Sequence, residues 1–238
     1  MELADHIAAV FVLLAALYPI ANARRFRDRL ARVGAEPDDR VKIYWTLMGW
    51  LWGMSAIVCG LWLYQGYDFA SLGFRYEHTW RFWLTSSAVL LIALFYAAYC
   101  IRLRSDPELR QRTRASLEMT QTDQLIPRNR REFRTWVCLS VSAGSEEIVY
   151  RGFLLWYLAA FTNLVMAGAV STVLFAVGHS YQGTTGVVRT GMVGVVFLIV
   201  YWISNSLWPA IALHVLQDVF GGAAGYLSHT VPRSDCSE

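Results

Sequence analysis

The chain has 238 residues, 55% of them hydrophobic, and a mean hydropathy of +0.35. Length alone allows one or two soluble domains, but apolar stretches of about 20 residues, enough to cross a bilayer, recur along the whole sequence and exclude an ordinary soluble domain. The net charge of +3 gives no reason to invoke nucleic acid.

The first apolar segment, 7–23, lies within "MELADHIAAVFVLLAALYPIANARR". Ala21-Asn22-Ala23 resembles a signal-peptidase site. The residues ahead of it are acidic, however, and Arg24 and Arg25 follow at once, an order that favours a retained span. Further spans are expected at 44–64, 80–101, 136–159, 162–181, 187–204 and 207–227. The expected architecture is therefore all-α: a polytopic membrane helix bundle of about seven transmembrane helices, forming a single integral membrane domain over 1–238. Ten Trp and twelve Tyr suit a protein with aromatic residues at its membrane interfaces.

Two long polar loops, "RRFRDRLARVGAEPDDRVK" and "RLRSDPELRQRTRASLEMTQTDQLIPRNRREFR", follow the first and third spans. They fall on one side of the membrane with Arg189 and the C-terminal tail, leaving Arg75 and Arg81 on the other. The positive-inside rule places the basic loops in the cytoplasm and the N-terminus outside. The preference for arginine over lysine is that of a GC-rich genome, and the expected location is a bacterial inner (plasma) membrane. "DQLIPRNRREFR" reads either as an interfacial helix starting at Pro127 or as a solvated basic loop. Cys59, Cys100 and Cys138 show no C-x-x-C spacing and read as buried, inert thiols. Cys236, third from the end, does not fit a C-a-a-X cysteine. In the last span, Gly221 and Gly225 have the spacing that lets helix backbones approach, and "TGMVG" opens the sixth.

"AGSEEIVYRGF", Ala143 to Phe153, puts three charges into the fourth span. A charged side chain at helix centre costs about 2.5–3.5 kcal/mol on the insertion scale. Glu146, Glu147, Arg151 and Asp218 together would cost on the order of 10 kcal/mol, comparable with the stability of a typical fold. Glu147 and Arg151, spaced i, i+4, read as a neutralising pair. Glu146 points about 100° away, on the face of Tyr150. It is left uncompensated, which favours a functional carboxylate. Phe175 and His179 share a face of the fifth span, and His214 and Asp218 share a face of the seventh. An interfacial His179, or a packing hydrogen bond between His214 and Asp218, is the bland alternative. His6, His78 and His229 lie at a terminus, in a loop and near a helix end, and read as structural.

In sequence order, Glu146-Glu147-x-x-Tyr150-Arg151, Phe175-x-x-x-His179 and His214-x-x-x-Asp218 resemble the CPBP family of CaaX proteases and bacteriocin-processing enzymes, also called Abi proteins. The resemblance covers 136–227. It implies a glutamic-type intramembrane endopeptidase. Glu146 and His179 would activate water. His214 and the residue at Asp218 would stabilise the oxyanion, and Glu147 and Arg151, with Tyr150 and Phe175, would support the site. The substrate would be a membrane-associated peptide or protein, with no cofactor. Asp218 departs from members with Asn there: an ionised Asp cannot donate to an oxyanion, so its role is either that of a protonated donor or of an orienter of His214.

Three other readings stay open at this level. Glu146, His179 and His214 could hold a catalytic zinc. The scaffold could be a non-catalytic immunity or regulatory protein. Buried acids could serve a proton- or ion-coupled transporter, although no corresponding pair of broken helices is present. The span boundaries put His179 near the cytoplasmic face with Glu146 and Asp218 at mid-membrane. They share a site only if a water-filled cavity opens from the cytoplasm or the fifth helix runs further.

Overall fold

A computed structural model describes residues 1–33, 38–119 and 123–230. Its helices are α1 (Leu3–Ala31), α2 (Asp39–Gln65), α3 (Trp80–Ser105), α4 (Pro107–Met119), α5 (Arg130–Gly144), α6 (Leu155–Ala159), α7 (Leu164–Gly178), α8 (Gly183–Ser204) and α9 (Leu207–Thr230). Among the described residues there is no strand. The all-α membrane bundle expected from hydropathy is the fold found.

Local chemistry sets the helix ends. The Thr79 hydroxyl and the side-chain carbonyls of Asn129 and Asn163 accept from the backbone N–H groups of Phe82, Glu132 and Met166. Each satisfies one of the donors that a helix start leaves free. α2 stops at Gly66, whose φ of 66° suits a residue without Cβ. α8 stops at Asn205, φ 53°, and α9 begins two residues later.

Among the described residues, five helical stretches are long and apolar enough to cross a bilayer: α1, α2, α3, α9, and α8 together with the turn before it (Ser180–Ser204). The fourth and fifth expected spans differ. The segment 136–159 is not one helix: α5 ends at Gly144, a π-helical turn runs over Ile148–Leu154, and α6 follows. α7 has only 15 residues, a length of about 22 Å against a hydrocarbon core of about 30 Å. It ends at Gly178, short of the boundary expected at 181, with His179 as its C-cap and a 3-10 turn, Ser180–Gln182, following. His179 stands near Glu146 and Asp218.

α5 and α3 pack on α9, α2 packs on α5, and α1 packs on α7. The face of α1 turned inward is Ala8, Ala9, Val12, Ala15 and Ala16, small residues that allow a close approach. The core holds the fully buried rings of Trp62 and Phe153, with Phe175 and Phe197 beside them. α3 buries only Phe82, Thr85 and Leu103 and presents Leu90, Leu91, Leu94 and Phe95 outward, as a lipid-facing helix does.

Several sequence expectations are corrected. Of the two readings of "DQLIPRNRREFR", no helix starts at Pro127: the segment holds a 3-10 turn, Asp123–Leu125, and then the first turns of α5, which begins after Asn129. Cys138 is exposed on the outer surface of the bundle rather than buried, while Cys59 and Cys100 are half-buried free thiols. Cys236 lies outside the described residues. Gly221 meets open space, and Gly225 meets the Ile126 side chain rather than a helix backbone. The close approach on α9 is at Gly222, against the Trp136 indole. His6 bonds the Tyr157 hydroxyl at 2.8 Å, and His229 bonds Asp123 at 2.8 Å, tying the end of α9 to the basic loop.

Candidate active site

The break in the fourth span builds the site. Gly144 lies so close to α9 that a Cβ there would sit 2.6 Å from Val215 Cγ2. Beyond it the chain is tied to α2: the Ser55 hydroxyl donates to the Ser145 carbonyl at 3.0 Å, and the Ser145 hydroxyl to the Leu51 carbonyl at 3.4 Å. Glu146 and Glu147 occupy the junction just before the π-helical turn. Such turns widen the helix and leave carbonyls for outside partners. Here the Ser171 hydroxyl of α7 donates to the Tyr150 carbonyl at 2.6 Å. Gly152 brings the turn against the 66–79 loop, where a Cβ would lie 2.9 Å from the Leu72 carbonyl oxygen.

Glu147 and Arg151 form the expected pair, with Nη1 3.0 Å from Oε1 and both side chains fully buried. Burial at this depth requires more than one partner. Arg151 Nη2 donates to the Gly194 carbonyl of α8 at 2.8 Å. Its guanidinium lies 4.5 Å from the Phe175 ring centroid and 5.6 Å from that of Phe197, within the range of cation–π attraction.

His214 adds a third member. Its Nδ1 is 2.8 Å from Glu147 Oε1, the oxygen that also accepts from Arg151. An ionised carboxylate only accepts, so Nδ1 carries the proton and the tautomer is set. Nε2 then faces Glu146, with Oε2 at 3.8 Å. The imidazole stacks on Phe197 (4.7 Å, 24°) and meets Phe175 edge-on (5.8 Å, 88°). The hydrogen bond that fixes its orientation runs to Glu147.

Glu146 differs from its neighbour. Its side chain keeps 18% of its surface exposed, while that of Glu147 keeps none. It lies within electrostatic reach of His179, His214 and Asp218. His179 Nδ1 bonds the Phe175 carbonyl at 2.8 Å, which leaves Nε2 as its free nitrogen. Asp218 is half-buried, and its backbone carbonyl accepts from Trp136 Nε1 at 2.8 Å. Tyr150 packs edge-on to Phe175, 5.3 Å between centroids.

All eight residues singled out in the sequence therefore belong to one cluster. The sequence reading missed Phe197 and Gly194 of α8, Ser171 of α7 and Trp136 of α5. Only "TGMVG" hinted at the close approach of Gly194. Among the described residues, no group of three or more His, Cys, Asp or Glu side chains is disposed to hold a metal ion.

Residues 131–220 match the family model described as Type II CAAX prenyl endopeptidase, Rce1-like. The CPBP resemblance carried by the three motifs holds. The match runs from the start of α5 into α9 and contains every residue of the cluster. It leaves α1–α4 outside, although α2 fastens the break that presents Glu146. No curated protein and no solved structure gives a significant match.

Proposed function

We propose that this integral membrane protein is a glutamic-type intramembrane endopeptidase that hydrolyses a membrane-associated peptide or protein. The observation that carries the reading is the unequal placement of two adjacent carboxylates. Glu147 is locked under Arg151 and His214, whereas Glu146 is partly open and faces His214 Nε2 at 3.8 Å.

In this reading Glu146, with His179 beside it, takes a proton from water as the oxygen attacks the scissile carbonyl. The protonated Glu146 then delivers that proton to the leaving amine, and the acyl half departs as a carboxylic acid. His214 donates Nε2–H to the tetrahedral oxygen in its imidazolium form, and Glu147 against Nδ1 is the counter-charge for that form. No metal takes part. The basic loops face the cytoplasm of a bacterial cell, so the half-open side of the cluster receives substrate and water from that end.

The test is substrate proteomics on membranes from cells carrying the wild type or Glu146→Gln, followed by cleavage of the peptides found, prenylated C-terminal peptides included, with purified protein. Cleavage products that require Glu146 are expected. Identical peptide profiles in the two strains overturn the proposal.

A further inference from the structure

The oxyanion side of the site has one proposed donor, His214 Nε2, and it donates only as an imidazolium, which leaves room for a second. His214 Nδ1–H is committed to Glu147, so in the neutral ring Nε2 carries a lone pair and can only accept. Asp218 donates nothing while ionised. A tetrahedral intermediate in a water-poor site needs donors that are in place before the charge develops.

One neutral hydroxyl stands in the right neighbourhood. Tyr181 lies on a short 3-10 turn, Ser180–Gln182, directly after His179. Its ring sits between Phe26 of α1 (5.1 Å, edge-on) and the His179 imidazole (6.0 Å). It is half-buried and packs against the apolar cluster that includes Leu30, Tyr44 and Leu139, on a turn held by α1, α7 and α8. Both Glu146 and Asp218 are within its electrostatic reach.

The hydroxyl is also oriented. Gln182 Nε2 donates to Tyr181 Oη at 3.3 Å. The other end of that amide is taken, because Oε1 accepts from the Thr190 hydroxyl of α8 at 3.2 Å. Gly186 lets α8 pass so close to Gln182 that any Cβ there would overlap it. In the arrangement found, the phenol oxygen accepts from Gln182 and the amide oxygen accepts from Thr190. The phenol's own hydrogen has no protein acceptor among the described residues.

We propose that the Tyr181 hydroxyl donates to the carbonyl oxygen of the scissile bond as that oxygen becomes negative, with Gln182 and Thr190 setting its direction. This rests on the endopeptidase reading above and names a residue outside the three motifs. The proton stays on the phenol throughout, so the balance of the hydrolysis is unchanged.

The experiment measures kcat and KM of purified wild type, Tyr181→Phe and Glu146→Gln on a cleaved peptide found by the proteomic comparison. Tyr181→Phe keeps the ring and is expected to lower kcat about 100-fold, the low end for loss of one oxyanion donor, with KM unchanged. Its unfolding temperature in detergent should equal that of the wild type. Wild-type kcat in this variant, or a change confined to KM, overturns the role of Tyr181 while leaving the endopeptidase standing. Absence of any Glu146-dependent cleavage overturns both. If Tyr181→Phe fails to fold, Gln182→Met carries the test: it keeps the phenol and frees it to rotate, so a several-fold loss of kcat supports the proposal and wild-type kcat overturns it.

Discussion

His214 Nδ1 lies 2.8 Å from Glu147 Oε1, a contact between residues 67 positions apart. The same oxygen accepts from Arg151 Nη1 at 3.0 Å. The acid that looks like one half of a helix ion pair is therefore the common acceptor of two helices, and it determines which nitrogen of His214 faces the reacting side.

The two glutamates should separate in stability before any activity is measured. Glu147→Gln leaves the Arg151 charge buried without its counter-ion, and losing one partner of such a pair costs about 3–5 kcal/mol. Glu146→Gln removes a half-open charge and should leave the unfolding temperature in detergent unchanged or raise it. Thermal unfolding of both variants, followed by tryptophan fluorescence, checks this. Equal destabilisation would contradict the division of labour.

Arg151→Lys should not be tolerated. An ammonium cannot bond Glu147 and the Gly194 carbonyl at their separate angles while lying flat on Phe175. Loss of the charged hydrogen bond to Gly194 alone predicts a destabilisation of about 1.5–3 kcal/mol. The same unfolding assay reads it, with Lys42→Arg as an exposed control for the reverse exchange.

Two adjacent glycines on α9 should behave differently. A methyl at Gly222 would overlap the Trp136 indole, whose Nε1 bonds the Asp218 carbonyl. Gly222→Ala is expected to cost about 1–3 kcal/mol through overpacking and to lower peptidase activity by shifting the Asp218 turn. Gly221→Ala meets nothing within 4 Å and should match the wild type in both measurements.

Chelation separates the zinc mechanism from the one proposed. Purified protein treated with EDTA or 1,10-phenanthroline is expected to keep full peptidase activity, with no stoichiometric zinc by elemental analysis. Loss of activity restored by added zinc would reinstate Glu146, His179 and His214 as ligands.

Much of the bundle is legible in the sequence because bilayer thickness imposes helix length. The span expected at 207–227 is found as Leu207–Thr230, and the one at 80–101 as Trp80–Ser105. The cost of unpaired charge in lipid pointed to Glu146, and its motif neighbours do gather around it. The break after Gly144 was invisible, since a π-helical turn uses the same residue types as an α-helix and hydropathy does not distinguish them. The Glu147–His214 contact depends on how α9 is rotated against α5, a relation between helices that one sequence does not encode locally. Phe197 and Tyr181 escaped notice because a buried aromatic residue looks alike whether it fills space or holds a neighbouring imidazole.

The serines that fasten the break reach outside the stretch that carries the family signature. Ser145 exchanges its hydrogen bonds with Ser55 and Leu51 of α2, and Gly152 rests on Leu72. The recognisable piece is thus not a portable cassette. Grafted onto a foreign set of membrane helices, it would bring every motif letter and still lack the clamp that aims Glu146, so the minimal working unit must include α2 and the loop after it.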